Sequence, residues 1–523
     1  MPSFQEVANL LTDDRSSQED RSGRTGMAVV SGLGAAISIL VYAAVSRSFS
    51  QIELGLYQVS VTTMNLLLIL GLFGFEWTIP RFVAKARALG DASMARDAIV
   101  KGLASTAAIS LGISGVLLLA ISPLTILLFN STSMGILVLL LVLIVPIGNM
   151  ATSLGSVLQG FERFRVLAGL TIGSSVIRAF SILVLLYMGV LSVLIGWLVG
   201  FVFLSMGSAI AVQRIAGRVL SNTAVAESGI PLMALLTYAA PLVGYRMSNY
   251  LLDSLDQYLV LGFVGVESLG PYSVTVMATS TLSFVSYSVL FTILIPRLTV
   301  AATNLPSEDY CAYETRIARV CFLVLAPFFV SMVALSFPIT EILSGTQYLG
   351  IAPVPTSIAA IGLVLLPVVV VKMVSLVSRG RTLRLFAAFL LSFSIEIGCG
   401  ILLIPTWGLV GAASSRTLSM ICLCVMLVLQ DRDTASHSSA VILRNVASCI
   451  PTIISQYVVY VLLGYSLSGF IMAFVIGPVV YVACLLAIGG ATLSDVGTVL
   501  NHIPNGALLS RLLLPRLKRL TEK

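Results

Sequence analysis

The chain alternates long apolar runs with short polar breaks. Fourteen apolar segments begin near Met27, Tyr57, Leu103, Ser133, Leu167, Leu191, Leu232, Leu269, Val320, Ile351, Leu385, Leu409, Ile442 and Ser468. The breaks, such as Ser131 to Ser133, Ser307 to Asp309 and Asp431 to Ser439, are too polar to lie in lipid. Each run is continuously apolar for about 20 residues, the length of a membrane-crossing helix, whereas barrel strands would alternate apolar and polar over about ten. The pattern predicts an all-α polytopic membrane protein with 14 transmembrane helices. Composition excludes a soluble domain: 58% of residues are hydrophobic and 10% charged, against roughly 45–50% and about 25% in soluble proteins. Mean hydropathy is +1.03.

Charge changes the picture only once it is sorted by position. The net +7 comes from 30 basic and 23 acidic residues. Twenty-six of the 30 bases fall in the N-terminal tail and the even-numbered connections, from Arg15, Arg21 and Arg24, through Lys372, Arg379, Arg381 and Arg384, to Arg511, Arg516, Lys518, Arg519 and Lys523. The odd-numbered connections hold only Arg47. This segregation predicts that both termini are cytoplasmic. It divides the chain into a tail (1–26), an N-lobe of segments one to six (27–214), a linker (215–231), a C-lobe of segments seven to twelve (232–430), a loop (431–441), segments thirteen and fourteen (442–489) and a basic tail (490–523). Asp13, Asp14, Glu19 and Asp20 stand where a signal peptide would be basic. Phe4, Val7, Leu10 and Leu11 suit a short surface helix, and Leu508 to Leu520 suits the anionic inner leaflet.

The chain also repeats itself. Leu54, Gly55, Tyr57, Val59 and Val61 recur as Leu269, Gly270, Tyr272, Val274 and Val276, and Pro80-Arg81 recurs as Pro296-Arg297. Gly189, ahead of segment six, matches Gly408, ahead of segment twelve, 219 residues on. Segments one to six are thus repeated as seven to twelve. An even repeat gives two halves of like orientation, two parallel six-helix repeats followed by two C-terminal helices.

Interior charge is the most informative feature, because an ionised group at mid-bilayer costs about 2.5–3.5 kcal/mol even on the generous insertion scale. Arg178, Arg246 and Arg416 are the bases inside segments; Asp253, Asp256 and Glu396 are the acids. In segment seven, Arg246, Asn249, Asp253 and Asp256 share one helix face, with Tyr238 and Gln257 beside them. A base with acids toward one end resembles an anion site beside a proton- or cation-responsive pair, and two poorly solvated carboxylates one turn apart raise each other's proton affinity. Thr171, Ser174, Arg178 and Ser181 repeat the spacing in segment five, and Ser392, Glu396 and Cys399 form a stripe in segment eleven. Arg178 falls next to Glu396 at the repeat offset, so a pairing between them is open. Segment eight carries Thr275, Thr279, Ser280, Thr281, Ser283, Ser286, Tyr287 and Ser288. These hydroxyls fit either backbone carbonyls of their own helix or a sugar-binding wall.

Other chemistry is sparse. Glu76 is expected to pair with Arg81 or Lys85. The seven cysteines read as small core residues, and His437 and His502 have no ligand-spaced partner, so no metal or catalytic residue is expected. Asn130-Ser131-Thr132 is a weak glycosylation sequon. No GxxxxGK[ST] motif occurs, and neither a cofactor nor nucleic acid is expected.

With these pieces placed, the chain resembles the polysaccharide-transporter branch, the Wzx-like oligosaccharide flippases, of the multidrug/oligosaccharidyl-lipid/polysaccharide exporter superfamily. The resemblance rests on Arg47 through Gly55-Leu56-Tyr57 to Pro80-Arg81-Phe82-Val83-Ala84, on Gln159-Gly160-Phe161-Glu162-Arg163-Phe164, and on Asp256 to Gly262 leading to Leu269-Gly270-Pro271-Tyr272-Ser273. It implies a non-enzymatic, multi-pass protein of the cell membrane. Its task would be to export a polyprenyl-(di)phosphate-linked glycan by alternating access, driven by an ion gradient, beside a glycan polymerase or glycosyltransferases. Segments one, two, seven and eight would line the cavity. Segment one offers Ser31, Ser38 and Tyr42 but no arginine, which places diphosphate binding on Arg246 with Arg178 or Arg416, sugar contacts on Asn249, Thr279 and Ser283, and ion coupling on Asp253, Asp256 and Glu396. A cation or drug antiporter of the same superfamily, and a membrane glycosyltransferase or polymerase, remain the alternatives.

Overall fold

The computed structural model describes residues 15–129, 134–221, 230–430, 432–492 and 495–497. The expected surface helix at Phe4 to Leu11, the sequon at Asn130, linker residues 222–229 and the basic stretch Leu508 to Leu520 lie outside the described residues. Within them the chain forms seventeen α-helices, two 3-10 turns and no strand. The first nine are α1 (Arg15–Ser48), α2 (Gln51–Leu72), α3 (Phe75–Leu89), α4 (Ala92–Leu119), α5 (Ile121–Phe129), α6 (Gly135–Gly160), α7 (Phe164–Val184), α8 (Val190–Ser221) and α9 (Leu232–Phe263). The rest are α10 (Val266–Asn304), α11 (Ser307–Ala334), α12 (Ser336–Ser344), α13 (Pro353–Leu363), α14 (Leu366–Ser378), α15 (Thr382–Leu429), α16 (Arg432–Leu462) and α17 (Leu467–Ala487).

Every apolar segment of the sequence falls on helix, and ten helical stretches among the described residues are long and apolar enough to cross a membrane. One of them, Leu383–Leu429, spans 47 residues and contains both expected segments eleven and twelve, divided at Gly408. Helix α9 is not among the ten; it carries Arg246, Asp253 and Asp256.

The chain forms two compact units, Met1–Ser254 and Leu255–Lys523. The boundary between them falls inside α9. In the first unit, α6 packs on α4 and α8, and α7 on α1 and α8. Asn149 of α6 donates to Ser110 of α4 at 2.9 Å, and Ser153 donates to Thr106 at 3.2 Å. Such buried polar contacts hold helices that gain little hydrophobic drive from lipid. In the second unit, α13 and α14 form the interior: 83% of the apolar window in Pro353–Ser378 is buried. The C-terminal pair α16 and α17 packs on α11, where Gln456 donates to Ser331 at 2.6 Å.

That interior position corrects one expectation. Lys372 is not a basic residue of a cytoplasmic connection: it lies in α14 with a side chain 4% exposed, its Nζ 2.6 Å from Glu314 of α11. Arg379 reaches the same carboxylate at 2.8 Å. A side chain so enclosed cannot report orientation, and its charge is answered by the acid instead.

Two glycine conformations support the sequence repeat. Gly189 has φ 63° and ψ −138°, and Gly408, its repeat partner, has φ 56° and ψ −128°. Both stand where L side chains are strongly disfavoured, so the two halves share an unusual backbone step as well as residues.

A third break shapes the site. Helices α2 and α3 are separated by Phe73 (φ 47°) and Gly74 (φ 79°), both left-handed. The second helix restarts with Trp77 and Thr78 amides donating to the Gly74 carbonyl. A Cβ on Gly74 would lie 2.6 Å from the Ala239 carbonyl oxygen of α9 and 3.1 Å from the Leu242 Cβ. Glycine is therefore required twice over, for its conformation and for the approach of α9. Below the break, Phe75, Ile79 and Val83 of α3 are buried with Ile99 of α4, Val157 and Leu158 of α6 and Leu235 of α9.

Gly74→Ala should therefore destabilise the protein by about 2 kcal/mol or more. Gly112→Ala is the control, because nothing lies within 4 Å of its Cβ position and alanine favours helix by up to about 1 kcal/mol. Thermal unfolding of the purified variants should show a lower midpoint for the first and an unchanged or higher one for the second.

Candidate functional site

The α2–α3 break presents Glu76 and Trp77 in the first turn of α3, and α9 brings Arg246 to them. The Arg246 Nε lies 3.5 Å from a Glu76 carboxylate oxygen; the acid is 8% exposed and the arginine 40%. The guanidinium carbon stands 5.7 Å from the centre of the Trp77 ring, and Trp77 packs on Tyr245 at 6.1 Å. One turn further, Arg81 stacks over Tyr238 of α9, 4.0 Å from the ring centre, with Phe82 edge-on to the same ring. Asn249 donates to the Tyr245 carbonyl at 3.0 Å, and the Tyr250 hydroxyl donates to the Thr62 carbonyl of α2. The result is two guanidinium groups, each set on an aromatic face, with one charge answered by a buried acid. Such a surface can take an anion on the exposed edge of Arg246 and the apolar faces of sugar rings on the aromatics.

Arg178 is elsewhere in the first unit. It lies on α7 with its guanidinium carbon 3.9 Å from the Trp197 ring centre on α8, and it donates to Ser38 of α1 at 3.3 Å. Ser174, one turn before it, donates to the Gly200 carbonyl at 2.8 Å and joins α7 to α8. A cavity of about 50 Å³ opens beside the guanidinium, lined also by Tyr42 and Tyr57.

The second unit holds an acid network. Asp256 of α9 is fully buried, accepts from the Tyr272 hydroxyl of α10 at 2.6 Å and pairs with Arg416 of α15 at 3.2 Å. Glu396, also fully buried, accepts from Ser419 at 3.0 Å. Arg416 is thus engaged by an acid of its own unit, and Arg178 and Glu396 each have contacts within their own units. Asp253 is exposed and Asp256 enclosed, so the two carboxylates of the segment-seven stripe occupy different surroundings. Thr279 donates to the Thr275 carbonyl and Ser283 to the Thr279 carbonyl, each at 2.7 Å. These hydroxyl protons are spent on their own helix.

The expected residues therefore divide into three groups: Arg246 with Asn249, Arg178 alone in its cavity, and Asp256 with Arg416 and Glu396. Sequence reasoning assigned Glu76 to Arg81 or Lys85, whereas it faces Arg246 and Arg81 faces Tyr238. It also passed over Trp77, Tyr245 and the Glu314–Lys372–Arg379 cluster. The signal for Glu76 and Trp77 was the glycine just before them, which ends one helix and starts another. The signal for Tyr272 and Tyr57 was the repeat, which returns the same tyrosine in both buried networks.

Comparison with known proteins places this geometry. The fold resembles the lipid II flippase MurJ in an inward closed conformation (TM-score 0.63, 14% identity, 87% of this chain and 97% of that one). It also resembles an inward-facing multidrug resistance MATE family transporter of the MOP superfamily (TM-score 0.57, 14% identity, 79% and 99%). A MOP superfamily transporter from Pyrococcus furiosus, reported with a binding pocket of reverse polarity, is similar as well (TM-score 0.58, 14% identity, 84% and 99%). No curated protein matches the chain by sequence. A family profile described as "Polysaccharide biosynthesis protein" matches residues 25–302. The match takes in α3, α9 and both copies of the Leu-Gly-x-Tyr and Pro-Arg motifs, more than half of the chain, and on it the chain belongs to the polysaccharide biosynthesis protein family.

Proposed function

We propose that the protein is a flippase that moves a polyprenyl-(di)phosphate-linked oligosaccharide from the cytoplasmic to the outer leaflet of the cell membrane by alternating access. The observation that carries the proposal is Arg246, 40% exposed and held over Trp77 by the buried Glu76. A lipid-linked glycan presents negative phosphates beside rings that are apolar on their faces. Bilayer hydrocarbon solvates neither the charge nor the hydroxyls, so the protein must supply a fixed cation and a surface for the sugar. Arg246 offers the cation, with Trp77, Tyr245 and the Arg81–Tyr238 stack beside it. Family membership and a fold shared with a lipid II flippase favour this reading over a drug antiporter, whose cationic cargo a paired arginine would repel.

The sequence reading completes the proposal: fourteen spans, both termini cytoplasmic, and a glycan polymerase or glycosyltransferases handling the same lipid on either side. Coupling to an ion gradient rests on the acid network of the second unit, where Asp256 and Glu396 share surroundings with one base, Arg416. Two carboxylates and one guanidinium leave room for a single proton or monovalent cation.

Arg246→Ala should abolish translocation of a fluorescent lipid-linked oligosaccharide in proteoliposomes. It also leaves the buried Glu76 without its base, which should lower the unfolding midpoint. Adding Glu76→Gln should recover the unfolding midpoint but not transport. If the double variant transports at the normal rate, Arg246 has no role in substrate binding. Efflux of a fluorescent cation by the unaltered protein would favour the antiporter reading.

Glu396→Gln should keep the protein folded, since an amide can still accept from Ser419, and should make translocation insensitive to an imposed proton or sodium gradient. A gradient response equal to that of the unaltered protein would make Glu396 a structural residue.

A further inference from the structure

The Arg178 cavity has features that the proposed flippase activity does not use. Arginine keeps its charge in any protein environment. Among the described residues its partners are the Trp197 face at 3.9 Å and the Ser38 hydroxyl at 3.3 Å, and no carboxylate lies within ion-pair distance. A cation within an apolar helix bundle needs a counter-charge close by. The second unit supplies one from its own chain, and the repeat shows how. Tyr57 corresponds to Tyr272, Arg178 falls one position from Glu396, and Trp197 corresponds to Arg416 at the same 219-residue offset. The same framework therefore holds a base facing an aromatic in the first unit and an acid network closed by Arg416 in the second. Among the described residues of the first unit no acid plays the closing part; instead there is a cavity.

The geometry points to a binding site for one small monovalent inorganic anion such as chloride, beside Arg178 and against the Tyr57 hydroxyl; the Ser38 hydroxyl gives its proton to the Gly34 carbonyl at 2.9 Å and only accepts from Arg178. A single water needs about 10–15 Å³ of such cavity volume, so the space, about 50 Å³, admits a halide with a few waters, and one base without an acid selects one negative charge. A halide there would neutralise the α1–α7–α8 contact, where Ser38, Arg178 and Trp197 meet. Because this site lies apart from Glu76 and Arg246, its occupancy is independent of the flippase proposal.

The chain has three tryptophans, Trp77, Trp197 and Trp407, so Trp77→Phe with Trp407→Phe leaves Trp197 as the single reporter. This protein, purified in lipid nanodiscs in gluconate buffer, is titrated with sodium bromide while Trp197 emission is followed. Saturable quenching is expected, reversed by chloride and not by inorganic phosphate. Arg178→Gln should weaken bromide roughly tenfold or more, the loss of a charge-assisted contact. Tyr57→Phe keeps the charge and should weaken it severalfold, so the test stands even where the arginine variant does not fold. Arg246→Ala with Glu76→Gln should leave the bromide response unchanged. Quenching that rises linearly with bromide and is the same in Tyr57→Phe overturns the proposal, as does saturation by phosphate in place of halide.

Discussion

The cost of an ionised group in a low-dielectric helix bundle is the constraint on which the rest of this structure depends. Most of the chain meets it by keeping charge out of the apolar runs. At three places where charge enters, an opposite charge enters with it: Glu76 with Arg246, Asp256 with Arg416, Glu314 with Lys372 and Arg379. Each pair ties at least two helices that are distant in sequence. A buried pair adds little net stability compared with apolar packing, yet removing one member is expensive. These pairs therefore fix which helix faces which more than they strengthen the fold.

Backbone breaks decide where those pairs fall. A continuous helix through Phe73 and Gly74 would turn Glu76 and Trp77 in step with α2. The left-handed pair at this point instead begins a new helix whose first turn faces α9, and the same glycine admits α9 to within contact of its backbone. An acidic side chain in a first helical turn is also favoured by the helix dipole. One backbone feature thus sets the position of the acid, the stacking of the tryptophan and the approach of the arginine-bearing helix.

The fold class was legible because period and length decide it: uninterrupted apolar runs of this length have few other solutions. The repeat was legible from Tyr57 and Tyr272 and from the paired glycines, whose unusual backbone angles turned out alike. Partner identity was not legible. Glu76 has Arg81 and Lys85 five and nine residues on in the same helix, neither at the three- or four-residue spacing that pairs side chains, and the sequence alone does not name Arg246, 170 positions away, in their place. Lys372 failed for a related reason. It sits near three arginines at the end of an apolar run, and only the packing of α14 against α11 distinguishes an interior lysine from a loop lysine. The hydroxyl-rich face of α10 admits two roles in the sequence, since composition cannot say whether a hydroxyl proton stays on its own helix, as those of Thr279 and Ser283 do.

Helix α9 is where these arguments meet. It carries Arg246 in the first unit and Asp256 in the second, ten residues on in the sequence. In the proposed cycle the substrate anion meets the first and the coupling ion the second. Arg246 answers to Glu76, and Asp256 to Arg416 and Tyr272. In that cycle phosphate would compete with Glu76 for Arg246, and a proton or cation would compete with Arg416 for Asp256, so each ligand replaces a contact that otherwise answers a charge of α9.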